Sequence, residues 1–296
     1  MSLPRCSIVI SSYNRPRLIR DALDSVFEQE GVELQVIVAD DWSDARVHDV
    51  LMEYDGRAQR AGLRFGVVRP PSAPTMEERQ RVGRCAICIN AALRHATGDF
   101  LAFLPDDDWL VPGSLAVRAN YLVAHPEVNA VYGRMEACKV AARYAPWRHG
   151  GIGDLCAAYY LGVRMPEGYT KPIQVACEHD RDGFWSAEPI ERIANRADHS
   201  MLMVRRRAPL PPWPEYPTGA HRIDPPLRAK ALNTADAALC EVEDRDLADD
   251  WFDCPDAGWF FRLDLAGYGP FHSVPDVVVV KRFHAHGHLS DPTVRE

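Results

Sequence analysis

Residues 100–108 read FLAFLPDDD, an unbroken apolar run that ends in three aspartates. A continuous apolar run of this length is typical of a strand that is buried on both faces of a sheet. Two earlier runs have the same design: residues 7–10 lead into the polar loop SSYN, and residues 34–39 lead into DDWS. Together these runs predict a mainly parallel sheet that is covered by helices.

Segments with helical spacing connect these runs. After Pro16, which suits the first position of a helix, apolar residues recur every three or four positions from Arg17 to Phe27. A second pattern of this kind extends from residue 77 to residue 93, and residues 63–68 supply a further strand. The predicted fold class is therefore α/β: a Rossmann-like, mainly parallel sheet that is flanked by helices.

The second half of the chain is less periodic. Residues 141–197 predict irregular elements or a lid, and the proline-rich stretch 209–217 predicts a surface loop. Strands are expected at 201–204 and 277–280, with a helix at 256–267 between them.

The three polar loops should share one edge of the sheet, because ligands of such folds bind where the carboxyl ends of parallel strands meet. Several carboxylates would then face one cleft and would need a cation or protonation to offset their repulsion. Asp106, Asp107 and Asp108 offer hard oxygen ligands that suit Mg²⁺ or Mn²⁺. The competing interpretation is an acidic turn or a helix N-terminus.

Histidines at positions 284, 286 and 288 alternate along the chain. In an extended segment all three would project to one side and offer imidazole nitrogen atoms to a metal or a diphosphate. The alternative is a solvent-exposed histidine cluster.

Composition narrows the class of protein. The 296 residues include 34 Lys+Arg and 42 Asp+Glu, for a formal net charge of −8. This balance disfavours broad binding to nucleic acid phosphates, although a local basic groove stays open. No stretch approaches the about 20 consecutive apolar residues of a membrane helix, which predicts a cytoplasmic protein. Eight cysteines are too sparse for a disulfide framework, so we expect Cys85 and Cys88 to be reduced core residues.

Three segments resemble the nucleotide-binding half of family 2 glycosyltransferases, which have the GT-A fold. They are SIVISSYNRPRLIRDALDSVFEQ (7–29), LQVIVADDWSD (34–44) and GRCAICINAALRHATGDFLAFLPDDDWLVPGSL (83–115), and the likeness returns in CPDAGWFFRL (254–263) and KRFHAHGHLS (281–290). The resemblance implies one continuous domain, with a nucleotide-sugar-binding half at 1–135 and a half at 136–296 that binds the acceptor and holds the catalytic base.

The resemblance also implies roles for individual residues on the donor side. Ser11 and Tyr13 correspond to nucleotide contacts of the first loop, with the tyrosine ring packing on the base. Asp41 corresponds to the acid that hydrogen-bonds the base, Arg84 to an arginine near the base or the diphosphate, and Asp106 to the ribose or sugar contact.

Metal binding is implied at the neighbouring positions. Asp107 matches the metal ligand of the family, and His284 or His286 matches its C-terminal histidine. Further candidates around this site are Asp40, Asn90 and Asp108. Pro105 stands where many members have aspartate, so the choice of ligand among the three aspartates stays open.

Asp256 matches the general base of the family, although Pro255 replaces a glutamate that members often carry before it. At the start of an amphipathic helix Asp256 is also a good N-cap. Asp253, Asp250 and Glu243 are competing candidates from the same acidic region.

The implied activity is inverting, metal-dependent transfer of a sugar from a nucleoside-diphosphate sugar to an acceptor hydroxyl. A UDP-sugar is the default donor, Mn²⁺ or Mg²⁺ the cofactor, and the acceptor a saccharide, a natural product or a modified nucleic acid. Two alternatives are a nucleotidyltransferase that acts on a sugar phosphate and a non-catalytic nucleotide-sugar-binding protein.

Overall fold

The computed structural model describes residues 2–75, 84–140, 146–149, 187–191, 193, 198–207, 210–213 and 255–283. In chain order the elements are β1 (Arg5–Ser12), α1 (Pro16–Phe27), β2 (Glu33–Asp40), α2 (Ala45–Ala61), β3 (Arg64–Val68), α3 (Arg84–Leu93), β4 (Phe100–Pro105), β5 (Trp109–Leu110), α4 (Ser114–Ala124), β6 (Ala130–Val140), β7 (Pro146–His149), a 3₁₀ turn (His199–Met201), β8 (Leu202–Arg205), α5 (Pro255–Leu265) and β9 (His272–Phe283).

The described strands form one nine-stranded sheet in the order β3-β2-β1-β4-β8-β6-β9-β5, and β7 pairs with β6. Strand β1 is parallel to β2 and to β4, and β2 is parallel to β3. The α/β fold class is therefore confirmed. Beyond β4 the sheet is mixed, because β8 is antiparallel to both β4 and β6.

Helix α1 begins at Pro16, as the sequence predicts, and buries an apolar stripe that includes Ile19, Leu23 and Val26. Helix α2 has no counterpart in the sequence prediction. The Asp44 side chain caps its first turn by accepting a hydrogen bond from the Arg46 amide, and Gly62 ends it in the left-handed region at φ 67°.

The structure describes residues 210–213 of the proline-rich stretch. These residues differ from the surface loop that the sequence predicts. Trp213 is only 1% exposed, and its ring stacks on Trp259 of α5 with centroids 4.9 Å apart. Both hydrogen-bonding groups of the Asn90 amide bind the Trp213 backbone at 2.8 Å. Aromatic packing and this paired hydrogen bond hold the segment against α3 and α5.

Asp198 is a buried ionic centre just before β8. Its carboxylate forms an ion pair with Lys281 of β9, lies 3.4 Å from Nδ1 of His199, and accepts hydrogen bonds from the amide and hydroxyl of Ser200. Burial by itself would raise the pKa of Asp198, but the two cations and the hydrogen bonds outweigh it, so the pKa lies well below its usual range.

We expect Asp198→Asn to lower the free energy of unfolding at pH 7 by about 3 kcal/mol, because it leaves the ammonium of Lys281 without its carboxylate. A lowered pKa stabilises the fold above the pKa of the unfolded chain, about 3.9. That contribution is lost as the pH falls through the lower pKa of the folded state. Urea unfolding should therefore show a gap between wild type and variant that is widest above about pH 5 and narrows in acid.

The matched control is Asp99→Asn, because the Asp99 ion pair with Arg5 is half exposed on both sides. This control should change stability little. A gap of equal size at pH 7 and in acid would show that Asp198 does not act through its charge.

Candidate active site

The carboxyl ends of β1, β2 and β4 meet at one edge of the sheet, which we call the site edge. Ser12 is level with Asp40 in the β1–β2 pair, and Ser11 is level with Pro105 in the β1–β4 pair. The strand ladder then ends in two hydrogen bonds to the β1 carbonyls, from the Asp41 amide to Ser12 and from the Asp106 amide to Ser11. The sheet register therefore places the acidic loops that the sequence predicts beside each other.

Arg15 joins two of the three neighbouring aspartates. Its Nη1 atom lies 3.0 Å from Oδ1 of Asp106 and 2.7 Å from Oδ2 of Asp107. The backbone amide of Tyr13 donates to the other oxygen of Asp106 at 3.0 Å. Asp106 is 1% exposed and Arg15 is 7% exposed. One guanidinium therefore contacts the predicted sugar contact and the predicted metal ligand together.

The electrostatics of this pair follow from its burial. Burial raises the pKa of the Asp106 carboxyl, the charge of Arg15 opposes this effect, and the neighbouring Asp107 adds to it. The same two carboxylates more than offset the burial of Arg15 and raise the pKa of its guanidinium. Arg15 therefore stays charged at every physiological pH.

The two acids after β2 have separate arginine partners. Nη2 of Arg84 lies 2.6 Å from Oδ1 of Asp41, and its Nε donates to the same oxygen at 3.1 Å. Nε of Arg69 lies 2.7 Å from Oδ2 of Asp40. Both carboxylates are buried, so their charges are balanced within the fold rather than by water.

Side-chain contacts lock the loops after β1 and β2 together. The backbone amide of Asn14 donates to the Ser43 hydroxyl at 3.0 Å, and the backbone amide of Asp44 donates to the side-chain carbonyl of Asn14 at 2.8 Å. Asn14 has φ 50° and Trp42 has φ 57°. Non-glycine residues with positive φ are strained and concentrate at binding sites, so both loops are held in a fixed and costly shape.

Carboxylate oxygen atoms at the site edge have the chemistry that a hard divalent cation requires. The contact of Asp106 and Asp107 with one guanidinium indicates that a positive charge fits between them. Within the described ranges, no group of three or more histidine, cysteine, aspartate or glutamate side chains has metal-binding spacing. The carboxylates of Asp106 and Asp107 thus have the chemistry of ligands for a hard cation.

Comparison with known proteins decides the family of this chain. The family model described as Glycosyl transferase family 2 matches residues 7–166, which is more than half of the chain. The chain belongs to glycosyl transferase family 2. The resemblance that the sequence motifs carry is thus confirmed.

The relatives of this family 2 chain match only part of it. Protein CgeD of Bacillus subtilis (strain 168) is 30% identical over 141 residues, which are 47% of this chain and 31% of that protein. The GalNAc(5)-diNAcBac-PP-undecaprenol beta-1,3-glucosyltransferase of Campylobacter jejuni is 27% identical over 128 residues, which are 42% of this chain and 37% of that enzyme. The chain therefore spans less than two fifths of the length of either relative.

The crystal structure of Staphylococcus aureus TarS residues 1–349 has a TM-score of 0.50 and 15% sequence identity, and it covers 94% of this chain and 60% of that chain. At this identity the likeness concerns the fold alone, and it confirms the GT-A architecture. Within the described residues, no helix has the length and apolar character needed to cross a bilayer.

Most of the site residues that the sequence predicts are described in the structure. Those described at or near the site edge are Ser11, Tyr13, Asp40, Asp41, Arg84, Asp106, Asp107 and Asp108. Asn90 lies on α3, and its amide binds the Trp213 backbone. This contact gives Asn90 a structural task beside the nucleotide role that the resemblance implies.

Three predicted positions are less fully described. Asp256 follows Pro255, the first residue of α5, so it lies inside the first helical turn rather than at the N-cap. Proline suits that first position because the amide it lacks has no intrahelical partner there. His284 and His286 lie outside the described residues, and they directly follow β9, which ends at Phe283.

Sequence reasoning missed Arg15, Arg69 and Asn14 as site residues. Asn14 and Arg15 lie within two residues of Tyr13, and Arg69 directly follows β3, which is parallel to β2. The position of these residues directly after strands can be read from the sequence. The pairing of each arginine with its aspartate cannot, since the partners are 29 to 92 residues apart.

Proposed function

We propose that this chain is an inverting, metal-dependent glycosyltransferase that moves a sugar from a nucleoside-diphosphate sugar to an acceptor hydroxyl. Family membership supports glycosyl transfer. The observation that carries the proposal is the site edge itself. The buried Asp41 and Asp106 and the partly exposed Asp107 follow β2 and β4, the parallel strands on either side of β1, and have Arg84 and Arg15 as their partners.

Residues after β1 and β2 would bind the nucleoside. Tyr13 would stack on the base, and Asp41 would hydrogen-bond the base edge, with Arg84 fixing the orientation of the carboxylate through its contacts at 2.6 and 3.1 Å. Because the loops are fixed by Asn14 and Ser43, this half of the site needs little ordering when the donor binds.

Asp107 would hold the divalent cation, with Asp108 beside it and a histidine from 284–286 completing the site. The direction of the strands supports this histidine: β9 is parallel to β6, which is antiparallel to β8, and β8 is antiparallel to β4. β9 therefore ends on the same side of the sheet as β4, and its Val280 pairs with Trp109, the residue after Asp108. When bound, Mn²⁺ or Mg²⁺ would offset the charge that develops on the departing diphosphate.

Asp256 would accept the proton of the acceptor hydroxyl as it attacks the anomeric carbon from the side opposite the diphosphate. Its place in the first turn of α5 supports this role, because the positive end of the helix dipole favours the ionised carboxylate that a base requires. The half of the chain from residue 136 onward would bind the acceptor, and residues 1–135 the donor.

A thermal-shift screen of nucleoside diphosphates tests the donor side. With Mn²⁺ present, we expect one nucleotide, UDP by default, to raise Tm by several degrees, because a ligand at about 100 times its Kd adds about 2.7 kcal/mol. The same nucleotide with EDTA should shift Tm much less. Equal shifts with Mn²⁺ and with EDTA would contradict metal dependence, and no shift with any nucleotide would contradict the donor class.

A further inference from the structure

Arg15 contacts both Asp106 and Asp107, and the roles proposed above give it no contact with the donor. Its backbone carbonyl accepts the amide of Ile19 in the first turn of α1. The following Pro16 disfavours a helical conformation at Arg15, and the observed φ and ψ are −126° and 69°. The start of α1 therefore places the backbone of Arg15 directly after the loop that follows β1, and the guanidinium is held by its contacts with Asp106 and Asp107.

The contact changes the charge that a cation meets. Asp106 and Asp107 together carry two negative charges when ionised, and the buried guanidinium of Arg15 balances one of them. It occupies one oxygen of each carboxylate. Charges separated by a few ångströms in a partly buried site interact strongly, so a divalent cation that approaches alone is repelled by Arg15 as well as attracted by the acids.

A nucleoside diphosphate removes this disadvantage because its own oxygen atoms add negative charge and further ligands. We propose that Arg15 weakens the binding of a free divalent cation through its positive charge. Binding of the cation then depends on the diphosphate of the donor. This inference rests on the proposed metal site at Asp107. It adds that the affinity for the cation depends on whether the nucleotide is bound.

The test uses Mn²⁺ alone, without nucleotide, and follows free Mn²⁺ by electron paramagnetic resonance. Arg15→Gln should bind Mn²⁺ about tenfold more tightly than wild type, because the repelling charge is gone. Arg15→Lys keeps the charge and should stay within about twofold of wild type. Arg20→Gln is the matched control on the same helix, because the ion pair of Arg20 with Glu53 is exposed, and it should leave the affinity unchanged.

The outcomes separate this inference from the proposed function. Saturable Mn²⁺ binding that Asp107→Asn abolishes but Arg15→Gln leaves equal or weakens would overturn the role of Arg15 and leave the metal site in place. Absence of saturable binding in all variants, with and without UDP, would overturn both.

A second variant keeps the test valid if Arg15→Gln does not fold. The double change Arg15→Gln with Asp106→Asn removes one buried charge of each sign, so the net charge at the site is kept. We expect its affinity for Mn²⁺ to stay within about threefold of wild type. A change of tenfold or more in either direction would overturn the charge argument.

Discussion

Asp107→Asn is expected to abolish Mn²⁺-dependent nucleotide binding and to reduce sugar transfer by about three orders of magnitude. Loss of a cation that stabilises the leaving diphosphate removes several kcal/mol of transition-state stabilisation, and about 4 kcal/mol corresponds to that factor. Asparagine keeps the size of the side chain and its contact distance to Arg15, so the substitution removes charge more than packing. Product formation from a labelled donor, measured with saturating Mn²⁺, gives the rate.

Asp99→Asn is the matched control for Asp107→Asn. Asp99 lies at the opposite end of β4, next to Phe100, and its ion pair with Arg5 is exposed. The control should retain wild-type transfer. Retention of full activity in Asp107→Asn would remove the metal role from this residue and direct attention to Asp106 or Asp108.

Asp256→Asn should lower turnover by about 10²–10⁴-fold, the usual contribution of a general base. Donor binding should stay near that of wild type, because the proposed nucleotide contacts come from the loops after β1, β2 and β4. The thermal shift with nucleotide and Mn²⁺ measures donor binding, and steady-state kinetics at saturating donor measures turnover.

A suitable control for Asp256→Asn is Asp276→Asn, an exposed aspartate on β9. If Asp256→Asn keeps turnover within a few-fold of wild type, the base lies elsewhere, and Asp253, Asp250 and Glu243 become the next variants to measure. If it loses donor binding as well, Asp256 acts on the fold or the donor site rather than on the acceptor proton.

Much of the donor half follows from local sequence signals. The apolar runs before the acidic loops predicted β1, β2 and β4, and Pro16 with the apolar spacing after it predicted α1. These signals work because each strand is buried on both faces and each helix has one buried face. The same signals predict that the polar loops share one edge of the sheet, and the register of β1 with β2 and β4 confirms this.

Other features depend on contacts that a linear pattern does not contain. Helix α2 buries Val47, Val50, Leu51, Tyr54 and Ala58, a helical spacing that its many charged residues obscure. The antiparallel pairing of β8 with β4 and β6 joins residues that are far apart in the sequence. The contact of Arg15 with Asp106 and Asp107 joins residues more than 90 positions apart, and only the folded register brings them together.

The antiparallel placement of β8 has a consequence for how such a protein can diversify. β8 enters the sheet between β4 and β6 and is antiparallel to both, so its first residues lie on the same side of the sheet as the end of β4. The pairing of β1 with β2 and β4 involves neither β8 nor any residue between β6 and β8. Changes of sequence between β6 and β8 can therefore accumulate while the loops that hold Asp41, Asp106 and Asp107 keep their register.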